Sequence, residues 1–394
     1  MHDVMAGYVE RGDVPGLVTL VSRRGEIHVD AIGAKAPGGD PIRRDTIFRV
    51  SSLTKPITAA ATMILVEECK LRLDEPLDLL MPELADRKVL KRLDGPLDDT
   101  VPANRPITVR DLLTMRMGFG FILEEADEWP ILTAASEQRI VMGPPKPATP
   151  PAPDEWLRRF ATLPLMHQPG EAWMYELAFS VLGVLSARAA GQPLETFLRE
   201  RIFAPLGMKD TGFSVPPAHL DRLATCYWTN FATGAFEVYD GVGDSQWSRP
   251  PAFPDAAGGL VSTIDDYLAF GQMMLEKGKL GSERILSRPS VELMTTDHLT
   301  SPRQAAAGLL RGDNRGVFLG DNRGWGFGVS VITGRDDISA VPGRFGWDGG
   351  LGTSWYADPT EEMVAILMTQ HLAGPDSPRI DLDFWTSVYQ AIDD

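Results

Sequence analysis

The first seventy residues alternate apolar and polar positions in a way that predicts a β-hairpin, a further short strand and a helix. Residues 17–21 are apolar and rich in strand-forming side chains, 23–26 supply the turn, and 27–32 alternate in character. Residues 47–50 predict the short strand, and Ile57 to Glu68 carries the pattern of a buried helix. The chain therefore begins by building a sheet and then passes from a strand directly into a helix.

The middle of the chain, from Leu71 to about Pro254, predicts helices joined by long loops and holds few strand signals. Within it, residues 143–153 contain six prolines, which predict an extended loop. Beyond Gly259 the pattern returns to a mixture of helix and strand. Helices are predicted at 264–276 and from 382 onward, and β-like runs at 328–332, 353–356 and 363–369.

Strand signals at both chain ends, with helix signals between them, predict an α+β fold. On this prediction, residues 1–70 and 255–394 form one lobe in which helices flank an antiparallel sheet. Residues 71–254 form an inserted, mainly helical lobe, and the active site lies in the cleft between the two lobes.

The amino-acid composition and the net charge limit which kinds of molecule the protein is expected to bind. The 394 residues are 43% hydrophobic and 23% charged, as in ordinary globular proteins, and 54 acidic against 38 basic side chains give a net charge of −16. That charge argues against nucleic acid, an anionic membrane or a strongly anionic substrate as partner, because each favours a basic footprint. No stretch approaches the about 20 apolar residues of a membrane span, and the N-terminus shows no leader pattern, so we expect a cytoplasmic protein. Cys69 and Cys226 are interpreted as reduced structural thiols.

The candidate chemistry lies at the predicted junction between strand and helix, in the segment Ser52-Leu53-Thr54-Lys55. A serine becomes a nucleophile only if a base sits within hydrogen-bond reach of its oxygen, and positions i and i+3 of a helix share one face. Lys55 could therefore activate Ser52. The alternative is an ordinary helix start with a solvated lysine, although no other lysine of the chain follows a serine at this spacing.

The segment from Phe48 to Pro56 resembles the active-site segment of class C β-lactamases, penicillin-binding proteins and the related family VIII carboxylesterases. Further segments resemble the same family in the same order along nearly the whole chain: 107–113, 202–208, 258–263 and 324–328. The resemblance implies a β-lactamase/transpeptidase-like fold in which Ser52 is the acylated nucleophile and Lys55 its base.

The family's second motif is a tyrosine at a helix start, usually Y-x-N, and Tyr175-Glu176-Leu177 stands in its setting. The resemblance implies that Tyr175 carries the proton between Ser52 and the leaving group. Leu177 replaces the asparagine that contacts substrate in β-lactamases. The alternative for Tyr175 is a half-buried core aromatic residue with its hydroxyl satisfied.

The third motif is normally K-T-G or H-x-G, and Trp347-Asp348-Gly349 occupies its place. Trp347 resembles the W-G-G version found in esterases of the family, which lacks the lysine that pairs with a substrate carboxylate. By the same resemblance the backbone N–H groups of Ser52 and Gly350 form the oxyanion hole. Asp348 either repels anionic substrates or caps N–H groups of a turn.

These motifs predict a serine carboxylesterase that hydrolyses small neutral, short-chain esters through an acyl-enzyme. The partner is a small-molecule ester, no cofactor or metal is expected, and the oligomeric state is left open. The substrate-binding candidates are Trp347, Asp348, Gly349, Phe119 and Trp355, and Phe121, Trp228 and Trp247 are further aromatic candidates for the pocket. The six histidines show no metal-ligand spacing, and no G-x-S-x-G surrounds any serine.

Two alternatives remain open at this point. An acyltransferase or an amidase/β-lactam hydrolase could use the same nucleophile, and the altered second and third motifs allow a catalytically silent penicillin-binding-like protein.

Overall fold

The computed structural model describes residues 1–123, 129–230, 232–233, 235–299, 310–373 and 377–394. The strands, numbered along the chain, are β1 Gly16–Arg23, β2 Glu26–Gly33, β3 Phe48–Arg49, β4 Lys88–Leu90, β5 Thr100–Pro102, β6 Cys226–Thr229, β7 Phe236–Asp240, β8 Val261–Ser262, β9 Lys279–Leu280, β10 Glu283–Arg284, β11 Arg323–Trp325, β12 Ser330–Ile332, β13 Phe345–Gly349, β14 Thr353–Asp358, β15 Met363–Met368 and β16 His371–Leu372.

The helices are α1 His2–Glu10, α2 Thr54–Glu67, α3 Val109–Leu113, α4 Pro130–Glu137, α5 Pro153–Ala161, α6 Ala178–Ala190, α7 Leu194–Leu198, α8 Ala204–Leu206, α9 Ile264–Leu275, α10 Arg288–Met294, α11 Arg315–Phe318 and α12 Ile380–Gln390. Short 3-10 turns lie at Ser51–Leu53, Pro82–Leu84 and Pro217–Arg222, and a π-helical turn at Arg199–Phe203. Among the described helices, none is long and apolar enough to cross a membrane.

The main sheet has seven strands in the order β11-β12-β13-β14-β15-β1-β2, and all its pairs are antiparallel. The N-terminal hairpin adds to the C-terminal strands through β1 and β15, where Leu20 faces Ile366. The predicted α+β fold with an antiparallel sheet is therefore confirmed. The boundaries of the two lobes stay a prediction, although both chain ends do supply the sheet.

Helices cover both faces of this sheet, as the alternation of β15 requires. Val364 and Ile366 belong to the large core cluster that includes α9. Their neighbours Met363, Ala365 and Leu367 belong to a second cluster with α1 and α12. Because successive side chains of a strand point to opposite faces, a wholly apolar strand is buried only when both faces are covered.

The segment that carries the candidate serine is less regular than predicted. The strand expected over 47–50 is only the two residues of β3, which pair with β8, and Ile47 instead bridges to Leu223. The predicted helix is longer than expected, because α2 begins at Thr54. The proline-rich stretch 143–153 bends and turns without regular structure until α5 begins at Pro153.

Candidate active site

Ser52 lies in a tight turn between β3 and α2. Ser51, just before it, has φ +47°, a left-handed conformation that residues other than glycine rarely adopt. The hydroxyl of Thr54 holds the turn, since it donates to the Ser51 carbonyl at 2.7 Å and accepts from the Leu260 N–H at 3.2 Å. The sequence thus presents the Ser52 side chain at the start of a helix, with only 5% of the residue exposed.

Lys55 is fully buried, and its amine contacts the candidate nucleophile. Its Nζ lies 2.8 Å from Ser52 Oγ and donates to the Ala257 carbonyl at 2.7 Å. The alternative of a solvated lysine at an ordinary helix start is wrong, because a buried amine with these two contacts is held by the fold. The i, i+3 spacing on one helix face brings the two groups together.

Tyr175, from the segment just before α6, lies beside this pair. Its ring centroid lies 4.5 Å from Lys55 Nζ, and its hydroxyl accepts a 2.8 Å hydrogen bond from Trp347 Nε1. Burial raises the pKa of the Tyr175 phenol, while the charge of Lys55 and hydrogen bonds with Ser52 and Trp347 act in the opposite direction. The phenol therefore stays protonated at neutral pH and is suited to donate a proton.

Trp347 stands on β13, where relatives with K-T-G carry a lysine. It is 4% exposed and packs edge-to-face on Trp325, with ring centroids 4.7 Å apart. Its indole thus supplies an apolar wall and one N–H donor, and no positive charge. This is the arrangement expected from the W-G-G resemblance.

The glycines after Asp348 allow β13 to approach the Ser52 turn. A Cβ on Gly349 would lie 2.1 Å from Thr353 Oγ1 and 2.5 Å from the Val50 carbonyl, so no larger residue fits. Gly350 and Ser52 line the same cleft. The oxyanion hole assigned to their N–H groups remains a prediction.

The cleft is a cavity of about 660 Å³ that holds the candidate nucleophile. Its lining includes Ser51, Ser52, Phe121, Gly143, Pro144, Tyr175, Glu176, Val317, Phe318, Trp347, Gly349 and Gly350. Of the aromatic candidates from the sequence, Trp347 and Phe121 line it. Such a volume exceeds what a short acyl chain alone needs.

Two predicted substrate-binding residues lie elsewhere. Phe119 is fully buried and packs edge-to-face on Phe160 at 5.2 Å, and Trp355 is fully buried against Tyr267 at 5.6 Å. Neither lines the cleft. The prediction is wrong for both because their rings face the core, and local sequence does not show which way a ring will face.

The remaining aromatic candidates do not line the cleft either. Trp247 is fully buried and donates its indole N–H to the Gly259 carbonyl, and Trp228 stands on β6.

Asp348 lies within β13, so its interpretation as a turn cap is wrong. Its carboxylate accepts hydrogen bonds from Ser354 Oγ at 2.5 Å and Tyr356 Oη at 3.0 Å. Burial raises the pKa of Asp348, and Arg323 acts against that rise. Asp348 points to the face of β13 opposite Trp347 and also lines the cavity.

Glu176 is a site residue that the sequence analysis missed. Its Oε2 lies 3.5 Å from Lys55 Nζ, and its Oε1 accepts a 2.7 Å hydrogen bond from the Gly143 N–H. Burial raises the pKa of Glu176, Lys55 lowers it and Asp255 raises it further. The signal was a lone acidic residue in the apolar run Trp-Met-Tyr-Glu-Leu-Ala-Phe. Leu177, in the asparagine position, is fully buried.

The described residues contain no group of three or more histidine, cysteine, aspartate or glutamate side chains that could hold a metal ion. The ionisable groups that the fold gathers around Ser52 are the Lys55 amine, the Tyr175 phenol and the Glu176 carboxylate.

Comparison with known proteins gives a consistent result over the full chain. The sequence profile of the family described as Beta-lactamase matches residues 1–390. Protein Rv1367c of Mycobacterium tuberculosis is 39% identical over 375 residues, covering 92% of this chain and 87% of that protein. Esterase EstB of Burkholderia gladioli is 30% identical over 384 residues, covering 91% and 88%.

Among solved structures, EstCE1, described as a hydrolase with promiscuous acyltransferase activity, superimposes with a TM-score of 0.76. The two share 25% sequence identity, and the match covers 98% of this chain and 97% of that one.

Proposed function

This chain belongs to the β-lactamase family and is a serine hydrolase, and on that premise we propose that it is a carboxylesterase that cleaves small neutral, short-chain esters. The observation that carries the proposal is the 2.8 Å contact between the buried Lys55 amine and Ser52 Oγ. A nucleophile and a base within hydrogen-bond reach, enclosed in a cleft, are the parts an acyl-enzyme mechanism needs.

In the proposed mechanism the Lys55 amine takes the Ser52 hydroxyl proton while Oγ forms a bond to the ester carbonyl carbon. The carbonyl oxygen becomes an oxyanion, which the N–H groups of Ser52 and Gly350 stabilise. The oxyanion collapses, the bond to the alcohol oxygen breaks, and Tyr175 protonates that oxygen and recovers its proton from Lys55. Water then attacks the acyl-Ser52 ester by the same steps in reverse and releases the acid.

The substrate class follows from the position of Trp347. A lysine there would pair with a carboxylate, whereas the indole offers an apolar surface and one N–H already directed to Tyr175. The net charge of −16 also disfavours anionic substrates. A neutral ester with a small apolar acyl group suits a cleft that Phe121, Phe318 and Trp347 line.

Acyl transfer is the second candidate function. The cavity of about 660 Å³ leaves room beside an acyl-Ser52 for an acceptor alcohol. EstCE1 is described as combining hydrolysis with acyl transfer. Product analysis with an added alcohol would distinguish the two outcomes, since transfer yields a new ester and hydrolysis yields only free acid.

The proposal is tested by treating the protein with a fluorophosphonate and with p-nitrophenyl butyrate. We expect one covalent adduct on Ser52, and loss of both adduct and ester turnover in Ser52→Ala. Ser136→Ala, an exposed serine on α4, serves as the matched control and retains both. Absence of an adduct on the wild type, or an adduct that survives Ser52→Ala, would refute the proposal.

A further inference from the structure

We propose that Glu176 is a positioning residue that orients the Lys55 amine toward Ser52 and stabilises the ammonium that forms there. The inference rests on the proposed function of Ser52 and Lys55 and adds a third member to that pair. Activated nucleophiles commonly use a base that is itself held by a third group.

The geometry around Lys55 Nζ carries this inference. Three oxygens surround the nitrogen: Ser52 Oγ at 2.8 Å, the Ala257 carbonyl at 2.7 Å and Glu176 Oε2 at 3.5 Å. The Ala257 carbonyl and the Glu176 carboxylate can only accept hydrogen bonds, whereas the Ser52 hydroxyl can also donate one.

This asymmetry decides where the lone pair of a neutral amine points. The two N–H bonds of an uncharged Lys55 amine are drawn to the two oxygens that can only accept. The lone pair then faces the remaining neighbour, the Ser52 hydroxyl. Without the Glu176 carboxylate, one N–H loses its acceptor and the amine is free to rotate away from the productive orientation.

Charge supports the same role after proton transfer. When the Ser52 proton reaches Lys55, an ammonium forms in a site where the lysine side chain is fully buried and that of Glu176 is 12% exposed. A carboxylate at 3.5 Å stabilises that charge more strongly there than it would in water. The other titratable groups that act on Glu176 or respond to it are Asp255, Tyr175 and Tyr239.

Glu176 also makes a contact that could give it a purely structural role, because its Oε1 accepts a 2.7 Å hydrogen bond from the Gly143 N–H. That contact anchors the start of the proline-rich stretch at the cleft. Glu176→Gln keeps an oxygen acceptor for Gly143 and removes the charge, whereas Glu176→Ala removes both. The pair of variants separates the anchor from the electrostatic role.

The experiment measures p-nitrophenyl butyrate hydrolysis against pH, together with the second-order rate of fluorophosphonate labelling, for Glu176→Gln, Glu176→Asp and Glu176→Ala. Glu171→Gln, an exposed glutamate in the same segment, is the control. We expect Glu176→Gln to lower kcat/KM and the labelling rate by about 30- to 100-fold, which is no more than the lower end of the about 100- to 10,000-fold that general acid–base catalysis supplies, because the base itself is still present. The change should fall on kcat, with KM nearly constant, and Glu176→Asp should recover part of the loss.

The pH profile supplies the readout that an anchor alone would not change. When it is ionised, Glu176 can only accept hydrogen bonds, so the acid limb of kcat/KM in the wild type should follow protonation of Glu176, whose pKa burial raises and Lys55 lowers. Glu176→Gln lacks this ionisation, so its acid limb should move to lower pH while the plateau falls.

Two results would overturn the inference while leaving the proposed function intact. One is that Glu176→Gln reacts with the fluorophosphonate and hydrolyses the ester as fast as Glu171→Gln does. The other is a loss in Glu176→Gln that falls on KM with kcat unchanged and is not recovered in Glu176→Asp, which would indicate a structural or binding role and no contribution to the chemical step. Failure of the proposed function looks different, because the wild type itself would then form no adduct on Ser52.

Discussion

The indole N–H of Trp347 donates a 2.8 Å hydrogen bond to the phenol oxygen of Tyr175. The contact joins β13, which lines the cleft, to the segment just before α6. It orients the Tyr175 phenol through an uncharged donor on the wall of the cleft. The same phenol is hydrogen-bonded with Ser52, and Lys55 Nζ lies 4.5 Å from the centroid of its ring, so Trp347 affects the proposed chemistry through Tyr175.

Trp347→Phe should lower kcat by about tenfold with little change in fold, because it removes the N–H but keeps an aromatic ring at this position. The hydrogen bond from Trp347 lowers the pKa of Tyr175, so its loss should also move the alkaline limb of the rate to higher pH. Steady-state kinetics at neutral pH would measure the loss of kcat, and extending them above about pH 10 would measure the shift of the alkaline limb.

Trp129→Phe is the matched control for that variant. The Trp129 indole N–H is buried and has no hydrogen-bond partner among the described residues, so its loss removes no such contact. Equal kinetics for the two tryptophan variants would contradict the role given to Trp347.

Because residue 347 carries no positive charge, we expect the protein to prefer neutral substrates over anionic ones. We expect p-nitrophenyl butyrate to acylate the protein at least about 100-fold faster than a chromogenic cephalosporin, a difference of roughly 3 kcal/mol. Within one β-lactam, the neutral methyl ester should acylate faster than the free acid. A preference for the free acid would show that the cleft recognises carboxylates after all.

Arg49 and Asp240 form a buried ion pair directly before the nucleophile turn, with Arg49 Nε donating to Asp240 Oδ2 at 2.9 Å. Asp240→Asn should lower the free energy of unfolding by about 3–5 kcal/mol, because it leaves the guanidinium buried without its counter-charge. Urea denaturation measures this loss.

An exposed pair provides the comparison for that variant. Glu292 contacts Arg288 at the surface of α10, and Glu292→Gln should leave the midpoint of urea denaturation nearly unchanged because water screens exposed charges. If Asp240→Asn changed the stability as little as Glu292→Gln does, the buried ion pair would not be what stabilises the segment that leads to Ser52.

Asp348 predicts a pH dependence of stability. Burial raises its pKa in the folded protein, so between the unfolded and folded values the folded state binds more protons. Ionisation of Asp348 therefore lowers the free energy of unfolding as pH rises. The loss is about 1.4 kcal/mol for each unit by which the pKa in the folded state exceeds the pKa in the unfolded state. Asp348→Asn lacks this contribution.

The test compares urea unfolding of Asp348→Asn and wild type at about pH 4 and pH 7. The stability of the variant relative to the wild type should increase with pH. A relative stability that stays constant, or that decreases toward neutral pH, would show that ionisation of Asp348 does not destabilise the folded protein.

Local sequence patterns predict much of the fold. The apolar run 363–369 and the hairpin signals at 17–21 and 27–32 predict the strands observed as β15, β1 and β2, because period and composition are properties of neighbouring residues. The family resemblance at Ser52, Tyr175 and Trp347 identified three segments of one cleft, and the structure brings them together.

Tertiary structure alone decided what each side chain faces. Phe119 and Trp355 were attractive pocket residues by composition, yet their rings pack in the core. Glu176 carried no motif signal in the sequence, yet its carboxylate reaches Lys55 across 121 positions of the chain. A side chain's role in this cleft depends on burial and on partners remote in sequence, and a local pattern contains neither.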